Sequence, residues 1–326
     1  NGYDLILAAG VHGAIIGGTD NNNNDFNQFG NATNNAIYIS SSNGSSPASH
    51  GHEIDGNKIG LALDDKGNTT PLPTGGAGIA VGGYNNFFFN DDIQNAGASG
   101  IHISNLDAHG NTFVLGAVYN SVDNGILIDD DAHDNDIDNL FISGNAGAGI
   151  RVVNGQGNSM EFNVMENNGG LGIDLAGEGV TPNDNDSMQP QPDYANRGQN
   201  FPVLTAAAGG HFSGTVSGTL TTTPGDYQIA IYVAEPCDPS GYGEGFSELG
   251  YRGSVTGVIT VPNLTVQGQG SVFFSLPVSF FSYNPGETVT LTATATDANG
   301  NTSEFSACQS YTDDTIFVDS FEEVPG

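Results

Sequence analysis

Positive charge is what this chain most lacks. Its 326 residues hold 5 Lys+Arg against 37 Asp+Glu, a formal net charge of −32. Neutralising phosphates takes clustered cations, so a nucleic-acid partner is excluded. An anionic membrane surface is excluded on the same ground. No apolar run approaches the roughly 18 residues a spanning helix needs, so membrane insertion is not expected either. Cysteine is reduced to Cys237 and Cys308, 71 positions apart and in neither a CxxC nor a zinc-like pattern. Their expected state is one disulfide in an exported protein, with two free buried thiols as the alternative. Trp is absent and Gly numbers 48, with long runs of Asn, Ser and Thr. Poor helix formers and turn residues in that proportion predict an almost all-β protein. The chain opens at Asn1 with no charged-then-apolar leader, which leads to the expectation of a removed signal peptide or a fragment.

Two residue types divide the chain. Of 36 Asn, 32 lie in residues 1–200, whereas Thr occurs 7 times there and 17 times afterwards. A change of turn chemistry this abrupt predicts a domain boundary near Asn200. Residues 178–200, with Pro, Asp and Asn and no periodicity, read as an acidic connector between a first domain over 1–177 and a second over 201–312, with a tail over 313–326.

An internal repeat dominates the first part. Gly-Ile-x-aliphatic recurs at Gly78-Ile79-Ala80-Val81, Gly100-Ile101-His102-Ile103, Gly125-Ile126-Leu127-Ile128, Gly149-Ile150-Arg151-Val152 and Gly172-Ile173-Asp174-Leu175, with spacings of 22, 25, 24 and 23. A second column, Asn86, Asn111, Asn135 and Asn158, keeps the same register. Short alternating strands at such a period fit coils of three strands stacked by parallel ladders. The repeated Asn then reads as a turn position near the left-handed region, its amide bonding the equivalent amide one coil away. The expected fold is a right-handed parallel β-helix, and the repeats resemble those of the pectate-lyase-like superfamily of extracellular polysaccharide-active and surface proteins.

Beyond Phe201 the pattern turns antiparallel, with alternating stretches at 212–220, 226–234, 271–276 and 287–296. Strands of this length and spacing predict a β-sandwich, with the threonines of Thr288–Ala295 facing water. The segments Cys237–Gly245 and Asp297–Cys308 resemble an Ig-like module of bacterial surface proteins, which implies an accessory role. The end, Thr315–Glu323, resembles an Ile-Phe-x-Asp-x-Phe-Glu tail of exported Gram-negative proteins.

Candidate chemistry is sparse. Six carboxylates crowd into residues 129–138, and hard oxygen donors at one turn make Ca²⁺ a candidate ligand for Asp129, Asp130, Asp131, Asp134 and Asp136. Asp184 and Asp186 alternate with Asn like half of an EF-hand loop and are a second candidate. A solvated acidic face explains both equally. Stacking the coils aligns Asp55, Tyr84, His109, His133 and Gln156, so two imidazoles sit one rung apart, where they would bind a transition metal, serve as acid and base, or merely stack. The outward column of the first strand, Tyr38, Ala80, His102, Leu127, Arg151 and Asp174, predicts an exposed Arg151–Asp174 pair.

A lyase acting on polyanions needs cations that five basic side chains scarcely supply, and the carboxylates a hydrolase needs crowd on turns rather than on a sheet face. The function expected is a secreted or cell-surface structural or adhesive protein, non-catalytic, associating with itself end to end into fibres and with extracellular polysaccharide as a further partner. The alternative is a polysaccharide lyase or glycoside hydrolase. Tyr3, Leu5 and Leu7 at the first strand and Ile316, Phe317, Val318 and Phe321 in the tail are the expected assembly residues. Six Asn-x-Ser/Thr sites, at Asn31, Asn43, Asn68, Asn185, Asn263 and Asn301, admit glycosylation.

Overall fold

The computed structural model describes residues 2–18, 26–64, 66–177, 179–184, 194–210, 213–234, 237–246, 257–260, 271–279 and 289–313. Its first part is a parallel β-helix of three sheets. The first sheet stacks seven strands, Leu5–Leu7, Ile37–Ile39, Ile79–Val81, Ile101–Ser104, Ile126–Asp129, Ile150–Val152 and Ile173–Leu175. The second holds Ile15–Gly17, Glu53–Asp55, Phe87–Phe89, Thr112–Val114, Asp136–Asp138 and Ser159–Glu161. The third holds Gln28–Phe29, Lys58–Ile59, Asp92–Gln94, Ala117–Tyr119, Phe141–Ser143 and Val164–Glu166. Alternation places one aliphatic or aromatic column inside each sheet, such as Ile54, Phe88, Phe113, Ile137 and Met160, all buried. Among the described residues no helix is long and apolar enough to cross a membrane.

The glycine of each Gly-Ile motif has a steric cause. A Cβ on Gly78, Gly100, Gly125 or Gly149 would lie 2.5, 2.3, 2.6 or 3.1 Å from Ile93, Val118, Ile142 or Met165, the inward side chains of the third sheet. The first sheet can approach the third only where no side chain intervenes.

The asparagine column is a buried polar ladder. Asn86 N–H and Nδ2 both donate to Asn111 Oδ1 at 3.0 and 2.8 Å. Asn111 repeats this onto Asn135 at 3.1 and 2.9 Å, and Asn135 onto Asn158 at 3.3 and 3.0 Å. The left-handed residue is not the ladder Asn, as expected, but its predecessor: Asn85, Gly110, Asp134 and Gly157 have φ of 54, 63, 51 and 69°. That residue turns the chain and leaves the Asn amide pointing between coils. One coil earlier His52 takes the same slot, its Nδ1 accepting from Ala14 N–H at 3.0 Å while Nε2 contacts Ser49 Oγ at 2.7 Å. This contact is not a nucleophile–base pair. Because Nδ1 is the acceptor, neutral His52 carries its proton on Nε2 and donates it to Ser49, which in turn donates to Val11 O.

Asp91 stands in an equivalent ladder at the third sheet, where its Oδ1 accepts from Asn57 N–H and Nδ2 at 2.8 and 2.9 Å. Its Oδ2 is buried without a partner, and burial pushes its pKa up to about 8. Burial likewise raises Glu244 and Glu304 to about 7. Raised carboxyl pKa values mean stability that is present below the unfolded-state pKa and lost as pH rises through the folded one. Global stability is therefore expected to fall between about pH 4 and about 8, by up to about 1.4 kcal/mol per pH unit for each group. Asp91→Asn should flatten that slope, as read by urea titration across the range.

The second part is an antiparallel sandwich. Its seven strands are hydrogen-bonded in the single order Gly257–Thr260, Tyr227–Val233, Val289–Asp297, Gln309–Asp313, Val203–Gly209, Ser213–Thr221 and Ser271–Ser279. The only parallel contact among these strands joins Ala208–Gly209 to Thr312–Asp313. Leu204, Val216, Ile229, Phe274, Leu276 and Leu291 are among its core. Cys237 and Cys308 are disulfide-bonded, with Cα atoms 6.3 Å apart. Thr292, Thr294 and Thr296 do not face water: they are buried. Thr292 donates to Ser306 O at 2.7 Å, and Thr296 pairs with Thr302 at 3.0 Å. The returning segment 302–306 lies over that face and replaces solvent.

This segment is also what closes the β-helix. Gly172 belongs to the Gly-Ile column but has no later coil to receive it; its Cβ position is 2.8 Å from Phe305, which fills the slot that Met165 fills one coil earlier. Asn196, in the 3-10 turn Ala195–Gly198 of the connector, continues the Asn ladder. Its Oδ1 accepts from Asn158 N–H at 3.1 Å and its Nδ2 donates to Asn158 O at 2.8 Å. A second Asn ladder runs from Asn145, whose N–H and Nδ2 donate to Asn168 Oδ1 at 3.2 and 2.9 Å, and Glu244 takes its next rung, accepting from Asn168 Nδ2 at 2.6 Å. Exposed amides of the last coil are met in turn: Gly157 by Asn301 Oδ1 at 2.7 Å, Met160 by Thr302 Oγ1 at 3.0 Å and Leu175 by Glu304 Oε1 at 3.0 Å. The connector and sandwich together thus act as a mock eighth coil, and Tyr232 and Phe305 join the coil core itself.

Two consequences follow. The sandwich occupies the end of the last coil, so the expected self-association falls on the edge of the first strand, where it was placed. Asn301, buried with its amide engaged, is no glycan acceptor in the folded chain.

Candidate functional site

Most of the predicted site residues are dispersed. Asp129 lies 2.9 Å from His102 Nε2; burial opposes its ionisation, yet the hydrogen bond and charge of His102 hold its pKa below the usual carboxylate value. Asp130 accepts from Ser104 Oγ at 3.1 Å, Asp131 donates its N–H to Asn154 Oδ1 at 3.0 Å, and Asp134 Oδ2 lies 2.9 Å from His133 Nδ1. Among the described residues no three His, Cys, Asp or Glu side chains are placed to hold one metal ion. Asp184 is tied through its backbone to Asn200, while Asp186 lies outside the described residues.

Ile316, Phe317, Val318 and Phe321 also lie outside them. Of the other assembly candidates, Tyr3 stacks on Tyr38 at 5.5 Å and accepts from Asn34 Nδ2 at 2.8 Å. Leu7 is buried and Leu5 packs on the coil core. Tyr3 and Leu5 remain half-buried. Register does set Arg151 beside Asp174, but Asp174 is buried rather than exposed.

Sequence reasoning missed a sheet face. Asp136 and Asp138 were assigned to a turn; they project from the outer face of the second sheet, on either side of buried Ile137. Parallel register aligns Phe87, Thr112, Asp136 and Ser159 in one outer column and Phe89, Val114, Asp138 and Glu161 in the next. Adjacent strands are about 4.8 Å apart, so Glu161 and Asp138 are neighbours across one rung. Burial raises the pKa of all three carboxyls, and charge repulsion adds to it for Asp138 and Glu161. Glu161 sits where this face meets the sandwich, accepting from Gln228 Nε2 at 3.1 Å. Two coils away, Phe87 and Phe89 lie side by side, 6.1 Å apart and within 18° of parallel. Phe87 is 42% exposed. The signal was available in the alternation Asp136-Ile137-Asp138, which puts both carboxylates on one face of a strand.

Along the edge of the coil runs a column of rings. His12, His50, Tyr84, His109 and His133 stack at 5.5, 4.6, 5.1 and 5.0 Å. The aligned pair His109 and His133 is where it was expected. Asp55 is not in the column: it pairs with Phe89 on the second sheet, and His50 and His12 occupy the places before Tyr84.

The architecture, a parallel β-helix closed at one end by an antiparallel sandwich, defines the class of the protein. No family model matches the chain, and no curated protein does. Among solved structures, a mutant of the periplasmic alginate epimerase AlgG is similar over 59% of this chain at 18% identity and a TM-score of 0.38. This chain spans 39% of that one. No chemistry is transferred from it.

Proposed function

We propose that this is an exported, non-catalytic surface protein that adheres to an uncharged polysaccharide on the Phe87–Glu161 face. The observation that carries the reading is the pair of exposed Phe87 and half-buried Phe89 on the same two columns as Asp136, Asp138 and Glu161. Flat apolar rings beside hydrogen-bond acceptors suit a sugar, which offers apolar C–H faces and hydroxyl donors. A charge of −32 turns away polyanions and leaves neutral chains as the favoured ligands. The disulfide supports an oxidising compartment.

Affinity electrophoresis against neutral and acidic polysaccharides tests this. Retardation by a neutral polymer is expected, weakened roughly tenfold or more in Phe87→Ala/Phe89→Ala, since each ring contact is worth about 1 kcal/mol. Equal retardation of the double variant would overturn the assignment of the face.

A second reading, hydrolysis, is favoured by one observation. Glu161, with its raised pKa, sits one rung from Asp138, and carboxyl groups about 5 to 10 Å apart are the spacing acid hydrolysis uses. Reducing-end release that disappears in Glu161→Gln would decide for it. Self-association remains part of the proposal only through the first coil or the tail, since the other coil end is occupied.

A further inference from the structure

The ring column is not uniform. Around Tyr84 the rings are nearly parallel, 4° to His50 and 7° to His109, as plain stacking requires. The two His–His contacts are stacked as well but less parallel, at 29° between His12 and His50 and 14° between His109 and His133. Tyr84 thus separates two imidazole pairs. In each pair one ring is locked by its Nδ1. His50 Nδ1 lies 3.0 Å from Ala48 O, an atom that only accepts, and His133 Nδ1 lies 2.9 Å from the Asp134 carboxylate. Both rings therefore carry a proton on Nδ1, and neutral imidazole leaves the Nε2 lone pair free. A backbone carbonyl or carboxylate fixing the far nitrogen is what orients metal-ligating histidines.

We propose that this column holds two transition-metal sites, His12/His50 and His109/His133, each binding a divalent ion of the zinc class through two imidazole nitrogens, with water completing the coordination. Two nitrogens on one tetrahedral zinc stand about 3.4 Å apart. The ring centroids are 5.5 and 5.0 Å apart, so the outer edges must tilt together by roughly 1.5 to 2 Å. His12 is exposed and His109 half-buried, so the tilt falls on these two rings while the hydrogen bonds of His50 and His133 hold theirs. The charge of −32 concentrates cations around the chain. Nitrogen donors select zinc, copper or nickel over calcium. Two acidic groups act on the His109/His133 pair: Asp107, which is held by Ser42 N–H at 3.0 Å, and Asp134, which orients His133. Neither is needed as a ligand.

Zinc titration of the full chain by calorimetry at pH 7.5 tests the proposal. About two ions per chain are expected to bind, unaffected by excess calcium. His109→Ala/His133→Ala and His12→Ala/His50→Ala should each remove one site. Far-UV circular dichroism of the variants checks that the coil persists. Cobalt(II) in place of zinc should develop a visible band that the fourfold His variant lacks. Zinc binding that survives in the fourfold variant would assign it to the acidic surface and overturn the proposal, as would the absence of zinc binding by the unaltered chain.

Discussion

Phe305→Ala is expected to destabilise the protein by about 3–5 kcal/mol, the cost of removing a buried Phe from a packed site, and to loosen the β-helix as well as the sandwich. Phe305 is 3% exposed and belongs to the coil core although it lies in the antiparallel part of the chain. Its ring packs edge-on to Tyr232 at 5.1 Å and occupies the gap over Gly172. Removing it also shifts the segment that carries Thr302 and Glu304, whose oxygens accept from the amides of Met160, Leu175 and Thr181. Buried amides left without partners cost about 1–3 kcal/mol each. Hydrogen exchange should therefore speed up at Met160 and Leu175 in the variant, while amides near Ile101 keep their protection. Faster exchange confined to residues 203–313 would show that Phe305 supports the sandwich alone, and that the coil ends without a cap.

The columns of the coil were legible because they are local and periodic. Gly-Ile-x-aliphatic marks the first sheet, and the structure keeps its register from Ile79 to Ile173 without a shift. The Asn column was legible for the same reason. What failed was counting through an interruption. At the coil of His52 no Asn stands in the ladder, and without that marker Asp55 was drawn into the ring column in place of His50. The cap was not legible at all. Asn196, Glu244, Phe305 and Glu304 sit at unrelated positions in a region with another turn chemistry, and nothing periodic connects them to the coil they complete. The threonines of Val289–Asp297 were misplaced because alternation tells which residues share a face, not whether water or a returning chain covers it.

Asn135→Asp tests the ladder on which the coil rests and is expected to cost more than Asn135→Ala. Asn135 is 1% exposed and uses both ends of its amide. Its Oδ1 accepts from Asn111 N–H and Nδ2 at 3.1 and 2.9 Å, and its Nδ2 donates to Asn158 Oδ1 and Ala108 O at 3.0 and 3.1 Å. Alanine deletes all four bonds and leaves buried donors and acceptors behind, a loss of about 3–5 kcal/mol if two go uncompensated. Aspartate keeps the acceptor for Asn111 but turns its second oxygen toward two other oxygens. It must bury an unpaired charge or take up a proton, and the proton can satisfy only one of them. Asp91 shows the tolerable version, since the next coil has Gly116 in its slot and no side-chain oxygen faces the spare carboxyl oxygen there. The aspartate variant should therefore carry a strongly raised carboxyl pKa, so its stability is retained at low pH and lost as pH rises through that value. Thermal melts should show Asn135→Asp approaching Asn135→Ala near pH 4 and falling below it near pH 8. Equal melts at both pH values would mean that the ladder amides are interchangeable with any small side chain, and that parallel backbone pairing and the aliphatic columns hold the coil together by themselves.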